Sequence, residues 1–589
     1  MQNTKFLKMF AAGLAVTFVG ALYAGYNEDA PYYTQYAQNE MPEYSAEAKN
    51  SGAAIHDTAD KTKTEVGKFS LTKGDVDVSL SGKVTQKWMG YDKIYTLRAH
   101  NNDQQSYFLS KANVCLDATV GRQTFGESAA DARVALLGRN FWNRDNAGNI
   151  SAGDVDFNEA WINLHLGTFF KPFGNWFSLK DYPISVKMGW FPYELGRGIS
   201  LGHGQTEAWY LGFDTAFDLN SHFRDIDRKD LCEPGFLVHG VINKDITYDF
   251  YYSKHEERGL GYLHPFGAPF DTRTNGVSKD RDLWAGRMDF SHERSWGNIH
   301  AQPYMMYMDE SRPSAPGSTY FGSIRLGTAG LMLDYQKNKF CMNAEAAGQY
   351  GHLGAVDSTR ARVDLRGIMG LVDAKYSFET VPMTIAVAAA HISGDKDPRV
   401  AANTATNIRH KGFVPYGDGN FCGKFVKSQI MLEARKLPRP LNYNSTIAVA
   451  VNDEETMHNL QYLGMGTKWM PFHDRKRLLL ESNVLFFWEA TTLKKWNRAA
   501  TIMDSPGSES SVDASRHLGF EVNFETKYRP LSNCCLMAQL ACFIPGQLYK
   551  DIEGTPNIII NTSYYTNQDI LGLGHDHVWR AALMASFEF

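Results

Sequence analysis

Long apolar runs are scarce in this sequence. Beyond the first two dozen residues no stretch approaches the ~20 consecutive apolar residues that a membrane-crossing helix needs. The mean hydropathy of −0.36 excludes a helical membrane bundle. Charge of one sign is lacking too. Sixty Lys and Arg against 65 Asp and Glu leave a net charge of −5, too balanced to point to a nucleic acid partner. Seven cysteines in 589 residues show neither CxxC nor Cys/His metal spacing. At least one must stay unpaired within the chain, which weakens a disulfide-framework reading. Catalytic motifs are missing as well: there is no GxSxG elbow, and the glycines of "KMGWFPYELGRGISLG" lack the Lys-Ser/Thr pair of a phosphate cradle. "LGLGHDHVW" offers only His575 and His577, where a metal site needs three or four converging ligands. We therefore expect no catalytic residue, no metal site and no cofactor.

What the chain does have is alternation. Its last residues, "HVWRAALMASFEF", place Trp579, Ala581, Leu583, Ala585, Phe587 and Phe589 on one strand face. Arg580, Ala582, Met584, Ser586 and Glu588 fall on the other. A soluble sandwich strand could alternate in this way. It would seldom run to the terminal carboxylate, where a hydrophobic edge invites aggregation. A closed membrane barrel removes that edge by pairing the last strand with the first. The segment also resembles the C-terminal signature of bacterial outer-membrane barrels, which implies that Phe589 and Phe587 form a signal read by the barrel assembly machinery.

The pattern begins abruptly at Asp75 in "DVDVSLSGKVTQKW" and recurs in segments such as "DFNEAWINLHLG", "GSIRLGTAGLMLDY", "NSTIAVAVND" and "RHLGFEVNFETKY". There are roughly twenty-one strand candidates, whereas a bacterial barrel should have an even number. From Phe236 onward short links, including "NKD", "YQKNK" and "RKLPRPLN", alternate mostly with long ones. About six candidates precede that point, where the topology demands an odd number. The predicted class is all-β: a transmembrane antiparallel barrel of roughly 18–22 strands over residues 75–589, with long external loops. Residues 1–24, with Lys5 and Lys8 before an apolar run and small residues near Ala24, read as a secretory signal peptide. Residues 25–74, polar and rich in Tyr and Ala, read as a periplasmic extension. The expected location is a Gram-negative-type outer membrane, with its lipid as one partner.

Taking the face opposite the bulky residues gives pore-lining candidates Arg133, Lys187, Arg287, Arg325, Arg435 and Arg580, with Glu159, Asp289 and Glu345 among the carboxylates. Arg197 is placed at the mouth. A strongly cationic lumen would favour a polyanion. A wall of nearly balanced sign suits neutral or varied small solutes, and many of its charges are expected to be cross-strand ion pairs worth about 0.2–1 kcal/mol each.

"DFNEAWINLHLG" followed by "ISVKMGWFPYELGRGISLG" resembles the alginate export family of outer-membrane porins. Glu159 and Ala160 match its acidic strand, Gly189 its strand glycine, and Gly196, Arg197 and Gly198 its later segment. Trp190 and Phe191 depart from it, standing where the family usually shows Arg and Gln. The resemblance implies a channel of eighteen or somewhat more strands carrying hydrophilic solutes, with a polysaccharide or sugar as one possibility. The alternative is a structural or adhesin-type surface barrel whose loops bind a partner.

Overall fold

The structure, a computed structural model, describes residues 69–93, 97, 104–142, 154–171, 183–202, 234–256, 280–310, 324–353, 363–378, 381–394, 409–413, 424–432, 459–472, 477–497, 508–553 and 574–589. Strands β1 (Phe69–Lys73), β2 (Val76–Asp92), β3 (Gln104–Val120), β4 (Ala130–Trp142), β5 (Asp154–His165), β6 (Ile184–Trp190), β7 (Pro234–Asn243) and β8 (Ile246–Glu256) come first. Next are β9 (Asp280–Arg294), β10 (Gly297–Glu310), β11 (Ile324–Lys337), β12 (Phe340–Leu353), β13 (Val363–Leu365), β14 (Ile368–Ser377), β15 (Met383–Ile392) and β16 (Arg409–His410). The last are β17 (Leu460–Trp469), β18 (Leu478–Trp488), β19 (Lys494–Asn497), β20 (Ser508–Asp513), β21 (His517–Leu531), β22 (Cys534–Pro545) and β23 (Val578–Glu588). Of the twenty-one strands in the main sheet, eighteen close into an antiparallel barrel, with β1, β13 and β16 as short additions. The barrel closes where β2 pairs with β23, from Lys83↔Glu588 to Asp92↔Trp579.

Closure follows from the pleat. Along β12 the outward positions Phe340, Met342, Ala344, Ala346, Gly348 and Tyr350 are all apolar, whereas Asn343, Glu345 and Gln349 face inward and are buried. Phe340 and Tyr350 are ten residues apart, about 34 Å along the strand at ~3.4 Å per residue. At a tilt of about 40° that spans roughly 26 Å of height, matching the ~25 Å apolar band of such barrels.

Five barrel strands, β2 to β6, precede β7, an odd number as the topology requires. The eighteen wall strands fall within the expected 18–22, and the raw tally of about twenty-one candidates exceeds them in part because of one stretch. The wall passes directly from β15 to β17, in register from Met383↔Trp469 to Ile392↔Leu460. The segment 424–432, apolar enough to read as a strand, instead lies inside the lumen as turns and bends. "NSTIAVAVND" and "RKLPRPLN" lie outside the described residues, as do residues 1–24, expected to be a signal peptide. Short connections at one end alternate with longer ones at the other, and the chain terminus lies at the short-turn end.

Phe589 is a ladder partner. Its N–H donates to the Gly82 carbonyl at 2.9 Å, and its carbonyl accepts from the Gly82 N–H at 2.8 Å. The ring lies over Gly82 so closely that a Cβ there would sit 2.4 Å from Phe589 Cζ. A larger residue at position 82 would push the ring off the seam. Phe589→Asp removes that cover from a face meant for lipid, and the variant should insert poorly into bilayers, seen as loss of the heat-modifiable gel band. Full insertion would show that the seam closes without the ring.

Candidate channel constriction

The inner face has two zones. Toward the long-loop end it is apolar, with Met89, Leu283, Met308, Leu326, Leu460 and Phe487 almost completely buried. Below lies a belt of charged and amide side chains. Among the described residues, two chain segments fold down to this belt: residues 191–202, which continue from β6, and residues 424–432, between β15 and β17. Their apolar side chains, including Phe191, Leu195, Ile199, Val426 and Ile430, pack into one buried cluster with the upper wall.

The polar belt grips these segments by their backbone. The N–H groups of Gly196 and Arg197 donate to Gln302 Oε1 at 2.7 Å and Glu345 Oε2 at 2.8 Å. Glu345 Oε1 also accepts from the Tyr304 hydroxyl at 2.5 Å, and Tyr304 and Ser200 share a hydrogen bond of 2.9 Å. Gly196 has φ 59°, and a Cβ there would lie 2.3 Å from Glu345 Oε1. Only glycine brings the backbone this near to the carboxylate. Arg287 Nη1 donates to the Glu194 carbonyl at 2.9 Å, and Tyr193 stacks on Tyr251 with centroids 4.3 Å apart.

The second segment is held more tightly. Glu521, fully buried, accepts from Ser428 Oγ at 2.7 Å and from the N–H groups of Gln429, Ile430 and Met431 at 2.5, 3.2 and 3.0 Å. Arg580 Nη1 donates to the Gln429 carbonyl at 2.7 Å. Asp373 joins the two segments: its Oδ2 meets Arg197 Nη1 at 3.4 Å, accepts from the Phe425 N–H at 3.3 Å, and also accepts from the Lys424 N–H. Buried backbone donors in a narrow lumen need such acceptors.

Seven expected lumen residues face inward. Arg133 pairs with Asp117 at 2.6 Å and Glu159 at 3.8 Å. Lys187 Nζ lies 4.2 Å from the Trp161 ring centroid and 5.4 Å from that of Phe191. Arg287 meets Asp249 at 2.7 Å and Asp289 at 3.5 Å, while Glu345 and Arg580 hold the inward segments. Arg197 lies within the first of those segments, below the mouth where it was expected.

Arg325 is a correction. It shares the outward register of Leu331 and Leu333, opposite Leu326 and Thr328, and pairs with Asp309 at 3.4 Å. Arg435 lies outside the described residues. Trp190, where the alginate-type pattern has Arg, points outward with 42% exposure, so that departure does not change the pore wall. Sequence reasoning missed Asp249, Gln302, Tyr304 and Ser428. Asp249 had a signal: it is the inward polar position between outward Tyr248 and Phe250.

No protein-family model matches the sequence, and no curated protein matches it. Solved structures similar to this chain include several from Pseudomonas aeruginosa. OccK8 (OprE) is 9% identical with a TM-score of 0.44, covering 87% of this chain and 98% of its own. The outer membrane protein opdK is 8% identical with a TM-score of 0.39, covering 87% and 98%. OccK2 (OpdF) in complex with glucuronate is 10% identical with a TM-score of 0.40, covering 87% and 96%. Continuous strand pairing, rather than this likeness, establishes the barrel here.

The belt's cations are mostly matched by carboxylates. Besides the pairs above, Lys468 meets Glu481 at 2.7 Å and Lys527 meets Glu525 at 2.7 Å. His239 and His300 contact Asp249 at 2.6 Å and Asp289 at 2.8 Å. Fixed charges of alternating sign cancel over short distances, leaving a polar wall with little net field.

Proposed function

We propose that this protein is an outer-membrane, porin-like channel passing small hydrophilic solutes, narrowed by the two inward-folded segments. The observation that carries this reading is the pairing of a lipid-compatible outer face with a charged inner belt that holds loop backbone within the lumen. In this reading the long loops face outward, residues 1–24 direct export, residues 25–74 begin in the periplasm, and the assembly machinery reads Phe587 and Phe589. A sugar or alginate-type saccharide is an admissible solute, but the matched charges favour no polyanion. The hydrogen-bonded carboxylates are occupied in holding structure, which supports a non-enzymatic role.

The test is bilayer recording under a salt gradient. Wild-type protein is expected to conduct with weak ion selectivity. Neutralising Arg133 and Arg287 together, as Arg133→Gln and Arg287→Gln, uncovers Asp117, Glu159, Asp249 and Asp289 and should shift preference toward cations. The shift should shrink as screening shortens from ~10 Å at 0.1 M salt to ~3 Å at 1 M. A strong anion preference in the wild type, lost in the double variant, would instead indicate a polyanion conduit. Absence of conductance at any voltage would favour the structural or adhesin-type surface barrel.

A further inference from the structure

At the long-loop end the outer face of the barrel changes character within one step along β8 to β12. Tyr252, Trp284, Tyr307, Gly327 and Tyr350 form one hydrogen-bonded row across β8 to β12. The Tyr252 and Trp284 rings lie 5.7 Å apart, and the Trp284 and Tyr307 rings 5.9 Å. Outward aromatic rings of this kind mark the boundary between hydrocarbon and headgroups. The next outward position on each strand is polar: Lys254, Asp282, Asp309, Arg325 and His352, continued by Asp364 on β13 and Arg409 on β16.

This polar row is not uniform. Over β8 to β10 it holds Lys254 with Asp282 and Asp309, and Asp282 also accepts from the Tyr252 hydroxyl at 2.8 Å. Over β11 to β16 the balance reverses. Arg325, Arg366, Arg409 and Lys411 are all exposed there, with Asp364 as the acidic member among the described residues. The Arg325 side chain is 53% exposed, and its Nε lies 3.4 Å from Asp309 Oδ2 on the neighbouring strand. Arg366 lies 5.4 Å from the Tyr350 ring centroid, fixing a cation beside the boundary aromatic. The short strands β13 and β16 occur only on this arc of the wall, and β16, paired in parallel with β13, places Arg409 next to Asp364.

We infer that this rim, with Arg325 and Arg366 at its centre, binds the phosphate-bearing headgroup of a membrane lipid in the leaflet at the long-loop end. Guanidinium groups beside an aromatic boundary stand at headgroup depth, and their planar donor pairs match phosphate oxygens. The inference rests on the barrel lying in a membrane and is independent of what passes through it.

The purified barrel in dodecyl maltoside is titrated with bisphosphorylated lipid A, with the dephosphorylated lipid, and with inorganic phosphate, and the dissociation constant is read for each. The phosphorylated lipid should bind, and the double variant Arg325→Gln, Arg366→Gln should weaken it about thirtyfold. Lys254→Gln, on the acidic arc, should leave binding unchanged, and the Arg325→Lys, Arg366→Lys pair, which keeps the charge without the planar donor pairs, should recover only part of it. A heat-modifiable band confirms that each variant is folded. Equal affinity for the dephosphorylated lipid, equal loss with Lys254→Gln, or no effect of the double variant would overturn the inference. Inorganic phosphate competing at the concentration of the lipid would overturn it in favour of a free-anion site.

Discussion

Glu521→Ala should enlarge the conducting pathway more than any other single change in the lumen. The Glu521 carboxylate accepts four hydrogen bonds from residues 428–431, three of them from backbone N–H groups. Hydrogen bonds to a charged group are worth about 1.5–3 kcal/mol each, and donors left unpaired in the lumen seek water. Even a net loss of about 3 kcal/mol shifts the ratio of seated to released segment about a hundredfold. Single-channel recordings are therefore expected to show a larger and noisier conductance, together with faster proteolysis within 424–432. Glu521→Gln retains one acceptor oxygen and should fall between the two. If Glu521→Ala conducts as wild type does, the segment is held by its apolar packing and the carboxylate does not latch it.

The second large effect separates the two faces of the final strand. Leu583 is outward and 56% exposed, near the middle of β23, while Met584 faces the lumen. Leu583→Arg places a charge toward the hydrocarbon, at a cost of roughly 2–4 kcal/mol near the bilayer midplane. Met584→Arg keeps its charge beside polar wall groups and water. The first variant should fold in lipid with a much lower yield, measured by urea titration in liposomes or by gel mobility, and the second nearly as well as wild type. Equal tolerance would mean that the outward face of β23 does not meet lipid.

Most of the barrel was legible because each wall strand has one face turned to hydrocarbon, and period-two alternation carries that constraint in every segment. The inward charges at Arg133, Glu159, Lys187, Arg287 and Glu345 follow from the same parity. The lumen segments were not legible for the converse reason. Residues 424–432 are apolar because they pack inside the barrel, and "FVKSQIML" offers the same composition as a wall strand. Distinguishing them requires knowing that β15 already has its partner in β17, a fact of long-range pairing that local pattern does not contain. Arg325 failed differently: at the rim, beyond the hydrophobic band, an outward charge costs nothing, so parity read from polarity inverts.

Strand β2 is served by two neighbours on the same edge. Positions 76–80 pair with β1 and positions 83–92 with β23, so β1 and the chain end lie head to head along it. β1 thereby acts as a backstop. If β23 slid two residues toward the short-turn end while keeping its faces, Phe589 would run into the edge already filled by Phe69↔Leu80. A slip the other way would leave Gly82 uncovered. The seam of the barrel, the junction formed between residues about five hundred apart in the chain, is therefore held in register by a stop that occupies the same edge of β2.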